Sequence, residues 1–148
     1  MQRCIVIADD DPTIIDLVRL RLGMARYHVV SANDAAEVLE MVHANTPVAV
    51  ILDVQMPGGS GSLPGGLAAL AKIKSDPCLS ALPVMMLTGE RDPETVMQAM
   101  NGGANDYMVK PFLPDALLER VSRLVKSSAM VWAQRGQITA ARPPLWEI

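Results

Sequence analysis

Aromatic residues, cysteine and net charge are all scarce in this chain, and each shortage closes off a class of protein. Two cysteines in 148 residues, Cys4 and Cys78, are too few for a disulfide framework and show no metal-ligand spacing. They read as packed or incidental thiols, which fits a reducing, cytoplasmic setting. Thirteen Lys and Arg against sixteen Asp and Glu leave a formal charge of -3, without the basic excess that tracking a phosphate backbone requires. Direct contact with nucleic acid is therefore not expected. No apolar run approaches the roughly 20 residues that span a bilayer. The first one, over 4–8, is too short for a signal-peptide core and runs straight into acids, so a soluble, unprocessed chain with no membrane association is expected. Aromatics make up 3% while methionine occurs ten times, the composition of an aliphatic core with adaptable gap fillers.

What the chain does have is apolar material: half its residues are hydrophobic and 20% are charged, enough for one globular core and too little charge for disorder. Short apolar runs alternate with longer segments of helical period, the pattern of buried parallel strands joined by crossover helices. Strands are predicted over 4–8, 27–31, 48–52, 83–87 and 106–109. The first helix opens on Asp11-Pro12, an N-cap and an N1 proline, carries Ile14, Leu17, Val18 and Leu22, and meets a stop at Gly23. A second starts at Asp34 with Glu37 completing a capping box, and Asn45 and Pro47 end it. The third runs from Gly66 to Asp76-Pro77, the fourth from Asp92-Pro93 to Gly102-Gly103, and the fifth follows Pro114 with Leu117, Leu118, Val121, Leu124 and Val125 in helical register. The fold class is α/β, a (βα)5 doubly wound, five-stranded parallel sheet in the order 2-1-3-4-5 with right-handed crossovers.

Two segments break this rhythm. Residues 58–66 read GGSGSLPGG, a glycine-rich loop at the carboxyl end of the third strand, where ligand sites of such sheets lie. Residues 132–148 hold both tryptophans and Pro143-Pro144, consistent with a linker, a docking tail or a disordered end. The chain thus divides into a domain over 1–128 and a tail over 129–148.

Chemistry concentrates at the predicted strand ends. Asp9, Asp10 and Asp11 follow the first strand and Asp53 follows the third, and in a 2-1-3-4-5 sheet these strands are neighbours flanking the topological switch point. Converging carboxylates repel unless neutralised, and a hard divalent cation with oxygen ligands, Mg²⁺ first, is the usual solution. Asp11 stands apart as a helix cap. Thr88 ends the fourth strand and Lys110 the fifth, so a hydroxyl and an ammonium join the carboxylates at one edge and form a cradle for a phosphoryl group. The acceptor would be a carboxylate.

The pieces IVIADDDP, VILDVQMP, VMMLTGE and DYMVKPF, in this order and spacing, resemble the receiver domain of bacterial two-component response regulators, a flavodoxin-like fold, over residues 3 to about 126. The resemblance implies a phosphoacceptor signalling domain rather than an enzyme, limited to its own phosphorylation and dephosphorylation. It implies that Asp53 is phosphorylated and that Asp9 and Asp10 hold Mg²⁺ together with Asp53 and the main-chain carbonyl of Gln55. Thr88 would be the switch hydroxyl, Lys110 the partner of the phosphoryl group, Pro111 the residue after a cis peptide, Tyr107 the aromatic that changes rotamer, and Gly89 the small residue giving access. Implied partners are a histidine kinase or histidine phosphotransfer protein, docking on the first helix near Ile14, Ile15 and Arg19, and an effector protein or second copy. The latter would meet the face of the fourth helix, fifth strand and fifth helix. One departure stands out: where the family continues from Met-Pro through two residues to Asp-Gly, this chain carries an extension of about five residues and lacks the acid. Gln55 and Glu90 occupy two variable positions that influence loss of the phosphoryl group.

Two other readings fit part of the same text. A haloacid-dehalogenase-type phosphohydrolase would use Asp9 as nucleophile, with Asp11, Thr13, Thr88 and Lys110 in its other motifs, but it would need a further acidic pair where Asp115 and Glu119 stand in a helical pattern, and it would leave Asp53 idle. A pseudo-receiver would bind partners without being phosphorylated.

Overall fold

The computed structural model describes residues 3–89 and 93–126. Glu90, Asp92, the boundary at 128 and the tail lie outside them. Five strands, β1 (Arg3–Ala8), β2 (Tyr27–Ala32), β3 (Ala49–Asp53), β4 (Val84–Thr88) and β5 (Asp106–Val109), form one parallel sheet in the order β2-β1-β3-β4-β5. Helices α1 (Pro12–Met24), α2 (Ala35–Asn45), α3 (Gly65–Ser75), α4 (Pro93–Asn101) and α5 (114–126) make the crossovers.

Successive strand residues point to opposite sides, and the core divides accordingly. Val6, Val50, Leu52, Val84 and Met86 pack with Val38 and Val42 of α2, Leu67, Leu70 and Ile73 of α3 and Ala99 of α4. Ile5, Ile7, Ile51, Met85 and Leu87 pack with Val18 and Leu22 of α1 and Leu117, Val121 and Val125 of α5. The central strands have no solvated face, which is why they are apolar throughout.

Local chemistry sets the element ends and shifts several of them. The Asp11 carboxylate accepts from Thr13 N–H and caps α1. Gly23, expected to stop that helix, lies inside it; the chain leaves through Arg26 in the left-handed region, φ 72°. At α2 the Asp34 carboxylate accepts from Glu37 N–H at 2.8 Å, while the Glu37 carboxylate reaches the N–H of Asn33, one residue before the capping-box position, at 2.6 Å. β3 and β4 each run one residue later than the apolar runs suggest. Asp53 is consequently the last residue of β3, paired in register with Leu87, and Thr88 the last of β4, paired with Val109. The ladder takes in the polar residue because backbone pairing does not depend on side-chain polarity. Gly103, at φ 101°, turns the chain out of α4.

Candidate functional site

Four parallel strands end at one edge, and each delivers one polar group there. Asp9 follows β1 and is fully buried, while the next residue, Asp10, is exposed. Asp53 is 4% exposed and Thr88 2%, and Lys110 follows β5 with its ammonium reaching back across the edge. One carboxylate oxygen from each of Asp9, Asp10 and Asp53 lies within 4.8 Å of the other two.

The two oxygens of Asp9 are treated differently. Oδ1 accepts the Asp11 N–H at 2.9 Å. Oδ2 has the Lys110 ammonium 2.8 Å away, yet receives no hydrogen bond of acceptable angle, so the contact is one of charge rather than a directed bond. The same ammonium lies 3.4 Å from Asp53 Oδ1, which also takes a long 3.4 Å bond from Gln55 N–H. Lys110 thus serves two buried carboxylates and sits closer to Asp9, a pairing that sequence spacing gives no means of finding.

Burial is the first cause that pushes the Asp53 carboxyl above its ordinary range, and the neighbouring Asp9 charge is the second; Lys110 and the Gln55 amide oppose them without prevailing. For Lys110, burial works against the charged form, but its close attraction to Asp9 and Asp53 holds the ammonium above its usual range. An all-oxygen donor set, three carboxylates converging and a buried oxygen with no directed partner together suit a hard divalent cation.

The remaining residues frame this centre. Lys110 N–H donates to the Thr88 carbonyl at 2.7 Å, tying the ends of β4 and β5 together, and the Lys110-Pro111 peptide is cis. Among the described residues nothing lies within 4 Å of where a Gly89 Cβ would stand, leaving room beside Thr88. Tyr107 is half-buried on β5 and packs against the core layer under α2, α3 and α4. On α1, Ile15 is buried, Ile14 half-buried and Arg19 exposed with its guanidinium on the Ser31 hydroxyl at 3.2 Å. The Asp11 carboxylate is spent on the α1 cap, Asp115 pairs with Arg21 at 2.8 Å and Glu119 with Arg123. The acids a dehalogenase would need therefore stand on an exposed helix surface.

The glycine-rich loop has backbone hydrogen bonds of its own. Ser60 and Leu63 exchange backbone bonds of 3.2 and 3.0 Å around Gly61-Ser62, with Gly61 at φ 60°, a two-residue hairpin turn. The loop leaves from Pro57, whose carbonyl accepts Ala35 N–H at the start of α2, and returns to α3 at Gly65 and Gly66.

Comparison with known proteins agrees with this architecture. The family model described as "Response regulator receiver domain" matches residues 5–122. The chain is 34% identical over 122 residues to the response regulator MprA of Mycobacterium leprae, covering 82% of this chain and 50% of that protein. It is 30% identical over 130 residues to the transcriptional regulatory protein KdpE of Staphylococcus aureus, covering 86% and 53%. The chain thus spans about half the length of these curated relatives. Among solved structures, the chemotaxis response regulator CheY4 of Vibrio cholerae superposes with a TM-score of 0.75 at 28% identity, covering 84% of this chain and 99% of that one.

Proposed function

The chain belongs to the response regulator receiver domain family of two-component signalling, and on that premise we propose that Asp53 accepts a phosphoryl group from a phosphohistidine donor. The observation that carries this reading is the state of Asp53 itself: a carboxylate buried at a strand end, pushed towards its neutral form by burial and by Asp9, with the Lys110 ammonium 3.4 Å away. A group held in this way gains when positive charge arrives.

In the transfer, an Asp53 oxygen attacks phosphorus, the bond from phosphorus to the donor imidazole nitrogen breaks, and the imidazole leaves. The donor supplies much of the reactivity, so the site contributes position and charge. Lys110 neutralises phosphoryl oxygens, the Thr88 hydroxyl donates to one of them, and the space at Gly89 admits the group. Asp9, Asp10, Asp53 and the main-chain carbonyl of Gln55 would hold Mg²⁺, which when bound supplies the remaining positive charge on the phosphoryl oxygens. Thr88 moving toward the phosphoryl group leaves room for Tyr107 to rotate, which shifts the α4-β5-α5 face between two arrangements. The exposed Met97 and Met100 of α4 support that face as the contact for an effector protein or a second copy, and the exposed Leu20 and Met24 of α1 support that helix as the contact for a histidine kinase or phosphotransfer protein. Among the described residues no helix is long and apolar enough to cross a membrane; the receiver unit is proposed to span 1–128 and to meet its phosphohistidine donor in the cytoplasm.

Intact-mass measurement after incubation with acetyl phosphate tests this. One added phosphoryl mass is expected only with Mg²⁺ and not in Asp53→Asn. If Asp53→Asn is labelled at the wild-type rate, the acceptor is another residue, and label on Asp9 would favour the phosphohydrolase reading.

A further inference from the structure

At the junction between the glycine-rich loop and α3, two successive glycines are pressed against the backbone that follows β3. A Cβ on Gly66 would stand 2.1 Å from the Asp53 carbonyl oxygen and 2.7 Å from Val54 Cα, and one on Gly65 would stand 2.2 Å from both the Met56 and Pro57 carbonyl oxygens. Every one of these neighbours is backbone, which cannot swing aside as a flexible side chain can. Neither glycine has a positive φ, so space rather than conformational freedom requires them.

The close approach has a hydrogen-bonding consequence. α3 has no side-chain cap, and its first two amides bond to the loop after β3: Gly66 N–H to the Val54 carbonyl at 3.1 Å and Gly65 N–H to the Met56 carbonyl at 2.9 Å. The carbonyls on either side of Gln55 are therefore held, whereas among the described residues no backbone N–H donates to the Gln55 carbonyl itself. Gln55 N–H itself bonds to Asp53 Oδ1 at 3.4 Å, and one carboxylate oxygen of Asp53 lies within 4.8 Å of one from Asp9, whose fully buried Oδ2 is the other acceptor with no hydrogen bond. Bonds to the carbonyls of Val54 and Met56 fix the backbone on both sides of Gln55 and so restrict where the Gln55 oxygen can point.

We infer that Gly65-Gly66 is a positioning element for the cation site: it lets two helix amides grip Val54 and Met56, and so presents the Gln55 carbonyl to a divalent cation at Asp9 and Asp53. This rests on the proposed function, since it assumes that Mg²⁺ binds there. A methyl group at Gly66 pushes on the peptide that follows Asp53 and displaces a carboxylate ligand and the carbonyl ligand together. It also explains why an acid is missing before Gly66: on this loop path, position 65 has no room for any side chain.

The test is Mg²⁺ affinity by titration calorimetry on the full chain, alongside urea stability, for wild type, Gly66→Ala, Gly65→Ala and Gly59→Ala. Gly59→Ala is the control, because its Cβ meets the Leu63 carbonyl oxygen at 2.1 Å, an equal clash in the same loop that touches neither Val54 nor Met56. Gly66→Ala is expected to lose about tenfold or more in Mg²⁺ affinity, the scale seen when a metal ligand loses its support, with Gly65→Ala intermediate. Gly59→Ala is expected to lose stability only. If Gly66→Ala is too unstable to titrate, Gly65→Ala decides through its affinity and the rise of its urea midpoint with Mg²⁺. Wild-type affinity in both Gly66→Ala and Gly65→Ala, or an equal loss in Gly59→Ala, overturns the inference alone. Failure of the wild-type chain to bind Mg²⁺ overturns the reading beneath it as well.

Discussion

At the edge where the strands begin, the Lys74 ammonium lies 2.7 Å from the Leu82 carbonyl and 3.2 Å from both the Ser80 carbonyl and Asn105 Oδ1. Asn105 Oδ1 also accepts Val84 N–H at 2.9 Å, and Asn105 N–H returns a 2.8 Å bond to the Val84 carbonyl. Burial lowers the Lys74 pKa, but three oxygens meet its charge. At the edge where the strands end, two buried carboxylates share one ammonium, and Asp9 Oδ2 has no directed bond. The base satisfies its polar groups and locks α3, β4 and β5 together, whereas the opposite edge keeps charges in conflict until something positive arrives. A single sheet thus separates satisfied from unsatisfied polar groups along the strand axis, and the contrast can be broken from either end.

The largest effect is expected at the base. Asn105→Ala removes the acceptor shared by Val84 N–H and Lys74, and should cost about 2–3 kcal/mol, the scale of leaving part-buried polar groups unmet. Urea denaturation measures it, and a loss under about 0.5 kcal/mol, typical of a plain surface change, would mean that the base is not wired as described.

A smaller effect of opposite sign is expected at the site. Without divalent cations at neutral pH, Asp53→Asn should gain about 1 kcal/mol, as relief of a functional site commonly does. Because burial and then Asp9 raise the Asp53 pKa, the folded state binds a proton more readily than the unfolded one. Stability from this group is fully present below the ordinary carboxylate pKa and is lost as pH rises through the raised folded value. The advantage of Asp53→Asn should therefore shrink as pH falls from neutrality into the carboxylate range, which urea titrations across that range would show; an advantage that grows on acidification would contradict the assigned direction.

The smallest effect is expected between the two edges, in the loop. Shortening 59–63 while keeping Gly65 and Gly66 should change stability by less than about 0.5 kcal/mol, since loop length enters closure entropy only logarithmically. The Mg²⁺ affinity, read in the same samples by calorimetry, should stay unchanged. A tenfold fall would show that the hairpin belongs to the site.

Much of the fold and most of the site can be read from the chain because both depend on patterns. Val50 to Leu52 have no polar position, Asp11-Pro12 marks a helix start whatever surrounds it, and the polar residues Asp9, Asp53, Thr88 and Lys110 each follow an apolar run in a sheet whose strand order brings those runs together. Contacts that pair residues distant in sequence through backbone or long side chains leave no such trace. Nothing in the spacing of Lys110 points to Asp9 rather than Asp53, and Lys74 looks like any surface lysine until Ser80, Leu82 and Asn105 surround it. Gly23 shows the reverse error: a glycine in a stop position kept its helical conformation, because Arg26 made the turn. In the loop, GGSGSLPGG reads as flexible from composition, yet its glycines serve a hairpin turn and two close approaches.

The central claim is that the carboxyl edge holds unresolved negative charge which a divalent cation settles. The most direct test is the urea stability of the full chain with and without Mg²⁺, for wild type and Asp53→Asn. Mg²⁺ at about a hundred times its dissociation constant should stabilise the wild type by about 2.7 kcal/mol and Asp53→Asn by much less, reversing their order of stability. Equal stabilisation of both, or none in the wild type, would contradict the account.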